Sequence, residues 1–145
     1  MRALNTVKVE FQSHSANEAF ARSCAACFAA QLDPTLEELG DLKTAVSEAV
    51  TNAVVHAYPK EIGSILLKLR ILEGNVLEVT VWDWGCGIPD VEKAMEPLYT
   101  TGGEERSGMG FSIMGCFTDL LRVRSKPGKG TTVVMRKAFS RRGEK

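Results

Sequence analysis

Glu48, Asn52 and His56 are the first residues in this chain whose types and spacing suggest chemistry. At i, i+4 and i+8 they lie in one line along a helix. The segment around them is otherwise apolar on nearly every side (Ala45, Val46, Ala49, Val50, Ala53, Val54, Val55, Ala57), the composition of a buried helix. A carboxylate and an amide set among valines are costly unless something pairs with them. One reading is a stripe that meets solvent, with Glu48 and Asn52 bonded to each other. The other is a stripe facing a ligand. There an amide oxygen can hold a hard cation such as Mg²⁺, and a carboxylate one turn away can orient or deprotonate a nucleophile.

Three weaker signals follow in order. Asp83-Trp-Gly85-Cys-Gly87 closes an apolar run. A carboxylate there can accept from an exocyclic amine, and glycines let backbone approach a planar ligand, although Asp and Gly are also ordinary turn residues. Next comes Arg106-Ser107-Gly108-Met109-Gly110-Phe111. Glycines before a helix leave backbone N–H groups open to phosphate, and Arg106 adds a cation able to neutralise a terminal phosphate. Last, Gly130-Thr131-Thr132 enters a strand, where a hydroxyl can share the ligand contact of Asp83.

The elements that must position these groups are legible. Thr6 to Phe11 alternates as a strand. A helix is expected over 19–32, capped by Ser15 or Asn17, and Asp33-Pro34 ends it. Thr35-Leu-Glu-Glu38 is a capping box opening a second helix that runs to about Ala57. Strands over 64–72 and 76–83 are joined by Glu73-Gly-Asn75. A short helix is expected over 90–95, a mobile segment over 96–107, a helix over 111–121, and strands over 121–125 and 131–138 about Pro127-Gly-Lys-Gly130. The class is α+β: a two-layer sandwich of a mostly antiparallel sheet with helices on one face.

Bulk properties bound the rest. A chain of 145 residues suits one domain, 1–145. Zero formal net charge gives no footprint for direct nucleic-acid binding. The basic residues Arg136, Lys137, Arg141, Arg142 and Lys145 read as a solvated tail. No apolar run approaches the roughly 20 residues of a membrane span, so a cytoplasmic protein with no membrane contact is expected. Cys24, Cys27, Cys86 and Cys116 form neither a disulfide framework nor a zinc pattern and are expected as buried, reduced thiols. Trp84 is expected to pack rather than line a pocket.

In order and spacing the four motifs resemble the ATP site of the GHKL superfamily (gyrase, Hsp90, histidine kinase, MutL), whose ATP-binding sandwich is the Bergerat type. A longer resemblance, over nearly the whole chain, is to the anti-sigma F factors of endospore-forming bacteria. It rests on Leu32-Asp-Pro-Thr35, Val46-Ser-Glu-Ala-Val-Thr-Asn-Ala53, Gly87-Ile-Pro-Asp90, Glu105-Arg-Ser-Gly-Met-Gly-Phe111, Asn17-Glu18 and Phe20-Ala-Arg22. The resemblance implies ATP and ADP as nucleotides, with Mg²⁺ on Asn52. It implies adenine at Asp83 with Gly85, Gly87 and Thr131, and phosphates along Ser107, Gly108, Met109, Gly110 and Phe111. Arg106 would sit on an ATP lid over about 96–110, Glu48 would be the general base, and Arg22 would touch protein partners. Those partners would be sigma factor F, a STAS-domain anti-anti-sigma factor phosphorylated on serine, and a second copy in a homodimer. The lid is slightly short and Gly-rich (Gly102, Gly103), and the linker after His56 is compressed. Three other readings remain open: an anti-sigma B type stress kinase, a histidine kinase catalytic domain, and an ATP-gated sigma-binding module that transfers nothing. The second lacks room for a dimerisation helix pair.

Overall fold

The computed structural model describes residues 2–88, 90–91 and 110–140. Strand β1 (Ala3–Gln12) leads into helix α1 (Asn17–Ala29), which tightens into a 3₁₀ turn over Ala30–Leu32. Helix α2 spans Leu36–Asn52 and widens into a π turn at Ala53–Ala57. Then come β2 (Ser64–Leu72), β3 (Val76–Asp83), α3 (Gly110–Cys116), β4 (Leu120–Lys126) and β5 (Gly130–Ala138). The strands form one sheet in the order β1-β2-β3-β5-β4, and every pair is antiparallel rather than mostly so.

Alternation on the strands selects the buried face. Ile65, Leu67 and Leu69 of β2, Val79 and Val81 of β3, and Val133 and Met135 of β5 join one core with residues of α1, α2 and α3. The helices therefore cover one side of the sheet. Ala21, Ala25 and Ala29 on α1, Ala45 and Ala49 on α2, and Ala53 in the π turn that continues it are all buried. Small side chains let the helices approach closely, and a larger residue at any of these points costs about 1–3 kcal/mol in overpacking.

The capping box forms as expected. The Glu38 amide donates to Thr35 Oγ1 at 3.1 Å, and the Thr35 amide donates to Glu38 Oε1 at 2.9 Å. Sequence reading missed the second use of this carboxylate: its Oε2 accepts from the amide and hydroxyl of Ser140 at 2.8 and 3.0 Å. Burial would raise the Glu38 pKa, but these bonds outweigh it and lower it from 4.5 to about 2. Because the folded value lies below the unfolded one, the stabilisation is complete above about pH 4.5 and decays as pH falls toward 2. The expected result is that a Glu38→Gln variant is less stable than the parent at pH 6 and that the difference closes by pH 2, as urea denaturation across that range would show. A constant difference would remove the carboxylate from the account.

Several expectations need correction. The N-cap of α1 is Ala16, with no side-chain cap; Asn17 Nδ2 instead donates to the Gln12 carbonyl at 2.9 Å. The third helix stops at Cys116, not 121, because Leu120 and Leu121 are drawn into pairing with Arg136 and Met135. Arg136 and Lys137 are not a solvated tail. They belong to β5, where Arg136 Nε lies 2.9 Å from buried Glu78 Oε2 and Lys137 Nζ lies 3.8 Å from Asp41 Oδ2. Arg70 Nη2 meets the other Glu78 oxygen at 2.7 Å, and the two arginines hold the Glu78 pKa low against its burial. Cys27, Cys86 and Cys116 are exposed rather than buried, and Cys24 is half-buried. Of the helix expected over 90–95, residues 92–95 lie outside the described residues, as does the segment over 96–107.

Candidate functional site

Asp83 ends β3 opposite Thr131 of β5. Its Oδ1 accepts from the amides of Gly85 at 3.0 Å and Thr131 at 3.1 Å. Among the described residues Oδ2 has no hydrogen-bond partner, and it is not sealed from solvent. One oxygen thus anchors the loop while the other is open to a donor. Burial is the main influence on this carboxyl and raises its pKa, with the two amide bonds opposing. Thr131 Oγ1 lies 2.8 Å from Ser125 Oγ, so its hydroxyl is shared within the protein.

The glycines of this loop answer to backbone crowding. A Cβ on Gly85 would sit 2.2 Å from the Ala57 carbonyl oxygen. One on Gly87, whose φ is +78°, would sit 2.1 Å from the Lys126 carbonyl oxygen. The loop is pinned on both sides: the Cys86 amide donates to Ala57 at 3.0 Å, and the Gly128 amide donates to Cys86 at 2.7 Å.

Two pinning residues escaped sequence reading. The Tyr58 hydroxyl accepts from the Trp84 amide at 2.7 Å and donates to the Ser64 carbonyl at 2.8 Å; in the sequence, Tyr58-Pro59 signals only a helix stop. The Ser125 hydroxyl accepts from the Ile88 amide at 2.7 Å, and nothing local in the sequence marks it. Trp84 does not pack as expected. The residue is 57% exposed.

On α2 the polar line has two ends. The Asn52 amide packs against the first residue of α3: a Cβ on Gly110 would lie 3.3 Å from Asn52 Oδ1 and 3.4 Å from Nδ2. Glu48, one turn earlier, lines an open groove of about 350 Å³ with Arg22, Lys43, Thr44, Ser47 and Thr51. Arg22 Nη1 donates to Ser47 Oγ at 3.2 Å. Among the described residues no hydrogen bond joins Glu48 to Asn52, so the self-satisfied stripe is not formed. Phe111, the second residue of α3, is buried in the core. Arg106, Ser107, Gly108 and Met109 lie outside the described residues. The described residues contain no cluster of three or more acidic, His or Cys side chains able to hold a metal, and no helix long and apolar enough to cross a membrane.

The antiparallel sheet thus carries a carboxylate at the end of its central strand, and the covering helix α2 carries an asparagine. A sequence profile of the histidine kinase-like ATPase domain matches residues 11–137. The anti-sigma F factor of Caldanaerobacter subterraneus subsp. tengcongensis is 56% identical over 138 residues, covering 94% of this chain and 96% of that protein. Among solved structures, the blue-light activated histidine kinase of Erythrobacter litoralis EL346 aligns with a TM-score of 0.59 and 28% identity over 76% of this chain, which spans only 33% of that kinase. The RsbU and RsbW domains of Rv1364c from Mycobacterium tuberculosis align with a TM-score of 0.68 over 94% of this chain and 32% of that one. At 18% identity this last match speaks for the fold alone. The chain belongs to the histidine kinase-like ATPase family and, within it, to the anti-sigma F factors.

Proposed function

We propose that this chain is an ATP-dependent anti-sigma factor that holds sigma factor F and phosphorylates a STAS-domain antagonist on serine. The observation that carries the reading is the two-ended line on α2. Glu48 opens into a groove that a protein can reach, and Asn52 abuts the glycine that starts α3. A proton acceptor and a phosphate-side ligand are thereby held one helical turn apart on one rigid element.

The residues divide the work. Asp83 Oδ2 takes the adenine amine, with Gly85, Gly87 and Thr131 shaping the wall. Ser107 to Phe111 offers backbone N–H groups to the phosphates, and Arg106 neutralises the γ-phosphate. Arg22 meets the partner. Glu48 accepts the proton of the serine hydroxyl as its oxygen bonds to the γ-phosphorus and the bridging oxygen leaves with ADP. Mg²⁺ on the phosphates would supply charge neutralisation in the leaving group. Asn52 is suited to hold it through its amide oxygen, a hard ligand of the kind Mg²⁺ takes. A homodimer in the cytoplasm, with no direct nucleic-acid contact, completes the reading.

The test is intact-mass spectrometry of the cognate STAS protein after incubation with this chain and Mg-ATP. One added phosphate on serine is expected. An unmodified partner, with ATP bound, would leave a nucleotide-gated binding module instead. Asn52→Ala is expected to abolish Mg-ATP binding, by calorimetry, with an unchanged circular dichroism spectrum. Global unfolding of that variant would mean that the amide serves packing rather than ligand.

A further inference from the structure

The groove between α1 and α2 holds more positive than negative charge. Arg22 of α1 and Lys43 of α2 line it with Glu48, beside the neutral Thr44, Ser47 and Thr51. The neutral hydroxyls are already engaged. Thr44 Oγ1 donates to the Gly40 carbonyl at 3.0 Å, the Thr51 hydroxyl donates to Glu18, and Ser47 Oγ accepts from Arg22 at 3.2 Å. The neighbouring acids are engaged too: Glu18 by Thr51, and Asp41, two residues before Lys43, by Lys137. Among the described residues no ion pair holds Arg22, Lys43 or Glu48. Ser47 takes one N–H of a guanidinium that carries several, and Lys43 is exposed. Both cations thus keep capacity for an anion.

Their place on the helix says which anion. Lys43 stands five residues before Glu48, and Asn52 four residues after it. Along the axis Lys43 is therefore about 7 Å from Glu48 and about 13 Å from Asn52. The nucleotide phosphates are assigned to the Asn52 end, so an anion at the Lys43 end comes with the protein substrate. An extended chain covers about 3.3 Å per residue. A carboxylate that meets these cations thus lies within about three residues of a serine at Glu48.

We propose that Arg22 and Lys43 receive a carboxylate of the antagonist close to its phosphorylated serine, and that Lys43 thereby sets specificity for an acidic acceptor segment. The inference rests on the kinase reading above and adds the chemistry of the substrate to it. Arg22 can clasp the carboxylate through parallel N–H bonds, and Lys43 adds a compact point charge. Lys43 stands at the end of the groove opposite Asn52, so it acts on partner binding and not on the chemical step.

The test is steady-state phosphorylation of the cognate STAS-domain protein by the full chain and by its Lys43→Glu variant. The modified serine is mapped, and each acid near it on the STAS protein is changed to Lys in turn. Lys43→Glu is expected to raise KM for the STAS protein about 10-fold or more, as a like-charge contact across an interface does. Both kcat and ATP affinity stay unchanged, the signature of lost binding alone. One acid-to-Lys change in the STAS protein should raise KM with the unaltered chain and lower it again with Lys43→Glu, a rescue that a structural role for Lys43 does not give. An unchanged KM, a fall in kcat instead, no rescue, or a mapped serine without an acid nearby would overturn the proposal. Transfer that ignores Lys43 removes this proposal alone, whereas no transfer by the unaltered chain removes the kinase reading and this proposal with it.

Discussion

Glu48→Ala is expected to slow phosphoryl transfer to the protein partner by about 10²–10⁴-fold, the range for losing a general base, while ATP binds as before. Two features of the groove make the effect large. The other carboxylate near it, Glu18, already accepts a hydrogen bond from the Thr51 hydroxyl. Arg22, which lines the same groove, donates to Ser47 rather than to Glu48. Among the described residues that line the groove, Glu48 is the only carboxylate. Glu48→Gln, which keeps the volume and loses the basicity, should fall as far as Glu48→Ala. Single-turnover transfer measured for both variants decides the matter. A near-normal rate in either would remove Glu48 as the base, and a parallel loss of ATP affinity would move it to nucleotide binding.

Gly130→Ala is expected to cost about 3 kcal/mol, from positive-φ strain and overpacking together. Its φ is +109°, and a Cβ would lie 2.2 Å from the Asp83 carbonyl oxygen and 2.8 Å from the Trp84 Cα. Both are backbone atoms at the end of β3, beside the Asp83 carboxylate, so relief must open the β3–β5 ladder. For a chain of this size the loss corresponds to a fall in Tm of roughly 6–12 °C. Gly128→Ala is the control. It shares a positive φ of +76° but has open space around it, so only the dihedral cost of about 1 kcal/mol remains. Thermal unfolding of the pair reads the difference. Equal destabilisation would contradict the close approach at Gly130.

Features set by neighbours in sequence were legible. The capping box at Thr35 and Glu38 and the hairpin about Glu73-Gly-Asn75 depend on residues within a few positions of each other, and both are present. The helix–sheet sandwich follows from the same periodicities. What escaped reading depends on distant segments. Tyr58 and Ser125 acquire roles because β2, β3 and β5 bring backbone groups to their hydroxyls. The third helix ends early because strand pairing outcompetes helical propensity at Leu120 and Leu121. Burial of Cys24 and Cys27 was misjudged because α1 meets the edge strand β1 through Phe20 and Gln31, where one flank stays open. Of the site residues, Asp83 and Thr131 meet directly, as do Asn52 and Gly110, and Arg22 and Glu48 share one groove.

The strand order gives synthesis a direction. β3 lies between β2, its hairpin partner, and β5, the last strand to be made. Until β5 arrives, the chain can pair β1, β2 and β3 but leaves one side of β3 as an open edge. The Thr131 amide that holds Asp83 Oδ1 comes 48 residues after it. The first three strands can therefore pair before the amide that fixes Asp83 has been made, and the Asp83–Thr131 bond closes only when β5 docks beside β3.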